Sequence, residues 1–431
     1  MQLTPLDPWI HHKISASQPR LTRQAIEAWQ LTHLNRTIAR IRTFSPFYRR
    51  LLSGSPESIS SLDELTLFPF TTSKDIRENP LQFICVPQGE IQRVVTLQSS
   101  GTTGEPKRIY FTADDQELTI DFFGVGMSTL TEPGERVLIL LPGGTPGSLG
   151  ELLRIGLERK GISPIPHGPV RDPGSTLETM QVQQVDCLVG SPTQVLGLAR
   201  RWNQGSKAPR TVLLSTDYVP MAVVHVLEEI WGCMVFNHYG TTEMGLGGGV
   251  ECEAHHGYHL READLYFEIV HPKTGKSLPT GEYGEVVFTT LTRQGMPLLR
   301  YRMGDRSRFL PGVCPCGTNL KMMERVSGRI NGSVAVGDAI LNLPDFDEAL
   351  FSIPDLLNFT VTVLGDSDDA SLCIETQMLT RKDRTALVEQ ALVRIPSIQE
   401  LRISIRCQHS PNETGSLRKR VIIDHRDCRS E

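Results

Sequence analysis

Between residues 135 and 240, short apolar runs alternate with stretches of helical periodicity, and this alternation constrains the fold more tightly than any other feature. The run VLILL at 137–141 is strand-length and apolar on both faces, as a buried strand requires. Helical spacing follows from Ser148 through Leu149, Leu152 and Leu157. Further short strands are expected at 187–190 and 212–215, with a helical stretch between them. In 221–230, Val223, Val226, Leu227 and Ile230 fall at i, i+3, i+4 and i+7, one face of a helix. Another strand is expected at 234–237. Strand and helix in turn imply right-handed crossovers and a mainly parallel sheet covered on both faces: an α/β fold.

The pattern changes after Gly249. Strands at 265–270 and 284–291 flank the turn-rich PKTGKSLPTGEYG, which suits antiparallel pairing. From about Val326 the expected order is strand (359–364), strand (371–376), helix (381–395) and strand (401–406). This is a small α+β module of about 100 residues, an ordinary domain size. At the other end, 25–42 is helical, SPFYRRLL follows, and Thr72 or Ser73 is placed to cap a helix before Asp75. The expected architecture is a large domain, 1–325, with a helical segment at 1–75 and an antiparallel subdomain at 250–325. A small α+β domain at 326–431 completes it.

A chain of 431 residues exceeds one ordinary core, in keeping with that division. A net charge of −5 gives no electrostatic reason to expect nucleic acid or an anionic membrane as partner. No apolar run approaches the ~18 residues of a transmembrane helix. The beginning, MQLTPLDPWIHHK, lacks the pattern of a signal peptide. Nine cysteines, an odd number over so long a chain, do not resemble a secreted disulfide framework. A cytoplasmic protein is expected.

Three segments carry chemistry. In QSSGTTGEPK at 98–107, Ser99, Ser100, Gly101, Thr102, Thr103, Gly104 and Lys107 offer hydroxyls, backbone N–H groups and one ammonium to a single polyanion. Only two residues separate the glycines, so this is not a Walker A loop, and a polar hairpin turn would use the same residues. The second segment, FNHYGTTEMG, comes where a parallel strand ends and ligands of open α/β sheets collect. There Tyr239 offers a face for a base, Thr241 and Thr242 offer hydroxyls, and Glu243 is a carboxylate suited to magnesium. In the third, LLRYRMGDRSR, Asp305 is expected in a turn with its carboxylate exposed, able to take ribose hydroxyls.

Taken in order, SSGTTGEPK, YGTTE, RYRMGD and SGRIN (327–331) resemble the adenylate-forming enzymes, above all the phenylacetate–CoA ligase branch. SPFYRR and FPFTTSKD also resemble that branch, so the likeness covers residues 45 to about 331. It implies attack of a carboxylate on the α-phosphate of ATP, giving an acyl-adenylate and pyrophosphate, then displacement of AMP by the thiol of CoA. An aromatic acid is implied. Carried over, residues 99–107 hold the β- and γ-phosphates, and Tyr239 stacks on adenine within Asn237, His238, Tyr239, Gly240 and Thr241. Thr242 touches the α-phosphate, Glu243 binds Mg2+, and Asp305 holds the ribose. Ser215, Thr216 and Asp217 contact adenine, and Arg329 sits at a hinge. Partners are then the acid, ATP and CoA, with homodimerisation left open.

Cys252, a group of histidines (His255, His256, His259), and Cys314 and Cys316 in VCPCG are ligand types that suit zinc. A Cys3His set leaves no open position, so Zn2+ would be structural. His259 is preferred, by its likeness to the placement in metal-containing relatives, with His255 the alternate. Two departures stand out: Asn331 occupies the usually acidic hinge position, and the C-terminal TGSLRKR lacks the family's Gly-Lys, leaving Lys419 as the candidate catalytic lysine. They motivate two other readings. One is an impaired nucleotide-binding regulatory module; the other is an adenylating enzyme with an acceptor other than CoA.

Overall fold

The computed structural model describes residues 2–15, 18–97, 106–365, 370–415 and 420–426. The phosphate-loop candidates Ser99, Ser100, Gly101, Thr102, Thr103 and Gly104, and the candidate Lys419, lie outside the described residues. The chain divides into two compact units, one built from 1–133, 143–162 and 238–326, the other from 134–142, 163–237 and 327–431.

The first unit begins with helices whose starts are set by side-chain caps. Thr22 accepts from the Ala25 N–H at the head of Arg23–Phe44, and Ser45 does the same for Pro46–Leu51. Thr72 and Asp75 form a reciprocal capping box on Ser73–Glu78, and Thr112 and Asp115 form another on Ala113–Met127. The strands Ile91–Leu97 and Lys107–Thr112 pair antiparallel, with Lys107 opposite Leu97 at the start of its strand. A three-stranded antiparallel sheet joins Leu265–Val270, Gly284–Thr290 and Tyr301–Ser307. Gly249–Glu251, Tyr258–Leu260 and Met322–Met323 form a second antiparallel set, joined by the last two residues of the strand Met234–Tyr239. Ile38, Tyr48, Phe68, Phe83, Ile109 and Phe288 share one core.

The second unit carries the parallel sheet, in the order Ser163–Pro166, Arg136–Ile139, Cys187–Gly190, Thr211–Leu214 and residues 234–237. Its central strands Cys187–Gly190 and Thr211–Leu214 are buried throughout, as their unbroken apolar runs require. From Ser327 the same unit continues into a four-stranded sheet, in the order Arg402–His409, Ser371–Met378, Leu356–Leu364 and Ile423–Asp424. The helix expected at 381–395 is shorter, Thr385–Leu392. Asp383 accepts from the Thr385 N–H at 2.9 Å, and Arg384 and Thr380 are tied to Asp355, so the helix starts late. Gln399 donates to the carbonyls of Leu392, Val393 and Ile395, which ends it. Among the described residues no helix is long and apolar enough to cross a membrane.

Candidate active site and metal centre

In the first unit the Lys107 ammonium lies against the Glu243 carboxylate, 3.3 Å from Tyr301 Oη and 3.4 Å from Ser73 Oγ. An ammonium has three N–H donors, and these partners can take all three. Glu243 sits in the short turn Thr242–Met244. Its Oε1 accepts from Tyr301 Oη at 3.1 Å, and its backbone carbonyl accepts from the buried guanidinium of Arg293 at 2.6 Å. Burial works against the Glu243 charge, but Lys107 beside it and the Tyr301 hydroxyl outweigh that and hold the carboxyl below its ordinary range.

Tyr239 Oη donates to Asp305 Oδ2 at 3.0 Å, and the Tyr239 ring stacks on Tyr258 with centroids 5.6 Å apart. Tyr301 and Asp305, on one strand, therefore meet Glu243 and Tyr239, each pair four positions apart in its own segment. Asp305 is not in the exposed turn that the Gly-Asp pair suggests. It lies within the strand Tyr301–Ser307 and is only 6% exposed. Gly304 explains the difference. Its φ of 73° makes a bulge where the register against Gly284–Thr290 shifts, and its N–H donates to Glu285 Oε1 at 3.0 Å. The bulge continues the strand while re-aiming the next side chain inward.

Thr241 and Thr242 follow Tyr239 and are half-buried, and Thr241 Oγ1 is buried with no hydrogen-bond partner among the described residues. A hydroxyl left over in this way suits a ligand oxygen such as phosphate. His238 clusters with the rings of Phe122 and Phe123, at 6.1 and 6.0 Å, and burial brings its pKa down to about 4, so it is neutral at pH 7.

Ser215, Thr216, Asp217, Asn237 and Arg329 belong to the second unit. Ser215 is buried just after Thr211–Leu214, and Asp217 accepts from the Tyr218 N–H at 2.9 Å. Thr216 has φ 76°, a left-handed conformation that costs a β-branched residue about 1–3 kcal/mol and is characteristic of functional loops.

Cys252, His259, Cys314 and Cys316 are all buried, and their ligand atoms lie within 4.8 Å of one another. Cys252 Sγ is 3.6 Å from Cys314 Sγ, and Cys316 Sγ is 3.4 Å from His259 Nε2. The edges of a tetrahedron with Zn–S bonds of ~2.3 Å are ~3.8 Å, so the set has the size of a zinc cage. Gly317, at φ 85°, donates its N–H to the Cys314 carbonyl at 2.8 Å and closes the turn that puts both sulfurs on one side. His259 is brought in because its strand pairs with Met322. His255 instead lies 3.6 Å from Glu251. Burial pushes the Cys252 and Cys314 thiols up. Burial also opposes the Cys316 thiolate, yet the His259 contact and backbone donors bring it down to about 6. Three buried sulfurs of this kind are costly as thiolates without a cation, and as donors they fit zinc.

Tyr301 and Arg293 are not singled out in the sequence, and Ser73 enters there only as a candidate helix cap, a place that Thr72 takes. A signal existed for Tyr301: the strand alternates buried and less buried positions, so a residue at 301 shares a face with Asp305.

AMP-binding enzymes match this chain over residues 71–292. It is 30% identical to a phenylacetate–coenzyme A ligase of Thermus thermophilus over 379 residues, 82% of each chain. A phenylacetate–coenzyme A ligase of Escherichia coli is 27% identical, over 90% of this chain and 93% of its own. Among solved structures, 2-hydroxyisobutyryl-CoA ligase in the postadenylation state has the same fold, with a TM-score of 0.80 at 19% identity over 94% of this chain and 90% of its own. The chain belongs to the AMP-binding enzyme family. Within that family it is an AMP-forming, phenylacetate–CoA ligase-like enzyme.

Proposed function

We propose that the chain activates an aromatic carboxylic acid as its adenylate, then transfers the acyl group to CoA with release of AMP and pyrophosphate. The observation that carries this reading is the convergence of Lys107, Glu243, Tyr239 and Asp305 from three distant motifs. Lys107 meets the outer phosphates together with residues 99–104, and Glu243 takes the magnesium that accompanies ATP. Tyr239, Gly240 and Thr241 flank the base, Thr242 meets the α-phosphate, and Asp305 holds the ribose. Asn237, His238, Ser215, Thr216 and Asp217 complete the nucleotide contacts, Arg329 marks the hinge, and Lys419 neutralises the reacting phosphate. The chemistry needs little beyond positioning and charge neutralisation, which these residue types supply.

An aromatic acid is favoured by the names of the relatives and by the uncharged ring cluster of Phe122, Phe123 and His238, the last directly before the YGTTE segment. Zinc bound by Cys252, His259, Cys314 and Cys316 would supply a structural tie in the antiparallel region and take no part in the reaction. A cytoplasmic location accords with CoA and ATP as substrates.

The test is ATP–pyrophosphate exchange over a panel of aromatic and aliphatic acids, with AMP release measured with and without CoA. Exchange dependent on an arylacetic or benzoic acid, with AMP release stimulated by CoA, is expected. Exchange with no acid in the panel would sink the adenylation reading, and exchange without CoA stimulation would redirect the second step to another acceptor.

A further inference from the structure

We propose that Tyr301 is a positioning residue for the phosphate end of the bound nucleotide, its hydroxyl keeping the Lys107 ammonium and the Glu243 carboxylate in register. The proposal rests on the adenylation reading above and deepens it. Tyr301 is buried, and its ring packs 5.6 Å from that of Phe288. Packing alone would be served by phenylalanine, and a buried hydroxyl is costly unless it is hydrogen-bonded. This one accepts from Lys107 Nζ at 3.3 Å and donates to Glu243 Oε1 at 3.1 Å.

The backbone before it is restrained at every polar group. Arg300 has φ 45°, left-handed for a residue other than glycine. Its guanidinium donates to Glu268 at 2.8 and 3.1 Å and to the Phe68 carbonyl at 2.7 Å. The Arg300 N–H donates to Thr289 Oγ1 at 2.9 Å, and its carbonyl accepts from the Thr71 N–H at 3.1 Å. A residue held at so many points sets the direction in which the strand Tyr301–Ser307 begins, and with it the place of the hydroxyl. When a phosphate competes for Lys107, the Lys107–Glu243 contact must loosen. The Tyr301 hydroxyl still donates to Glu243, so the carboxylate keeps its orientation through the exchange of partners.

The test compares wild type with Tyr301→Phe in acid-dependent ATP–pyrophosphate exchange, and measures Mg·ATP binding by calorimetry in the absence of acid. Losing the hydroxyl that bridges the two charged groups is expected to raise KM and Kd for Mg·ATP about 5- to 10-fold, with KM for the acid unchanged and Tm within a few degrees. Tyr48→Phe serves as comparator. It removes a buried hydroxyl that bonds Thr71 Oγ1 at 3.0 Å and the Leu299 N–H at 2.9 Å, and should lower Tm without moving KM for Mg·ATP. Wild-type nucleotide affinity in Tyr301→Phe, or a fall in kcat and Tm with KM unmoved, overturns the positioning role and leaves adenylation standing. A wild-type protein that neither binds Mg·ATP nor exchanges with any acid removes the adenylation reading, and this proposal with it.

Discussion

Two buried constellations of the first unit handle charge in opposite ways. Cys252, His259, Cys314 and Cys316 are all donors, so as thiolates they need a cation from outside, and four of them close its shell. Lys107 and Glu243 each supply what the other lacks, so the pair is satisfied in the free protein and can be reopened by a ligand that brings both charges. Under the function proposed above, Mg·ATP would be such a ligand: Lys107 would hold its polyphosphate and Glu243 its metal. On that reading a closed, one-signed set serves structure, whereas a self-neutralising pair serves turnover.

The most severe way to break this contrast is to remove the ion. One zinc per chain is expected by metal analysis of the purified protein. Stripping it with a strong chelator should cost several kcal/mol and lower the Tm of the first unit by roughly 10 °C, at about 2–4 °C per kcal/mol for a cooperative unit of 150–250 residues. Cys314→Ser should mimic the loss, while KM for ATP in the still-folded fraction stays put. Coincident melts with and without chelator would mean that the cluster is only a group of packed thiols.

Next in size are the charge variants of the pair. Glu243→Gln should lower acid-dependent pyrophosphate exchange at least 100-fold, about 2.7 kcal/mol of barrier, with a smaller loss of Tm than Lys107→Met because the amide oxygen still accepts from Lys107. Lys107→Met strands a buried carboxylate, and removing one partner of such a pair costs about 3–5 kcal/mol at most, less where the group can neutralise. The double variant Lys107→Met/Glu243→Gln should recover most of that stability and none of the exchange. Additive losses of stability in the double variant would argue that the two side chains are not coupled and that the site is not poised as described.

How far these sites could be read from sequence follows from the range of the interactions that make them. The capping box of Thr72 and Asp75 and the buried strands Cys187–Gly190 and Thr211–Leu214 are local, and their residues announce them. Motif text also marked Lys107, Glu243 and Asp305, but not their environment. Asp305 looked exposed because a Gly-Asp pair usually turns the chain, whereas here pairing with Gly284–Thr290 absorbs Gly304 as a bulge. Tyr301 and Arg293 meet Glu243 from 58 and 50 positions away, and Tyr301 meets Lys107 from 194, separations that no local pattern encodes. His259 is favoured over its neighbours in the sequence by resemblance alone; the pairing of Tyr258–Leu260 with Met322–Met323 that brings it to the cysteines is not local.

A third buried acid sharpens the comparison, with the smallest expected effect. Asp264 shares features with Glu243: it is fully buried and paired with a lysine, Lys13, at 2.9 Å. It differs in having a second cation, Arg261 at 2.7 Å, and the Thr292 hydroxyl at 2.7 Å, so no single ligand could reopen it. Burial would raise its pKa, but Arg261 and Lys13 outweigh that and bring it down to about 2. Because the folded value lies below the unfolded one, ~3.9, its contribution is complete above pH ~4 and fades as pH falls toward 2. The difference amounts to roughly 2 kcal/mol, to be read from urea unfolding midpoints across pH 2–5. Asp264→Asn should flatten that part of the pH dependence and leave pyrophosphate exchange at pH 7 within about twofold in the folded fraction. A loss of exchange as deep as that of Glu243→Gln, without a change in the acid limb of stability, would place Asp264 with the reopening pair and dissolve the distinction.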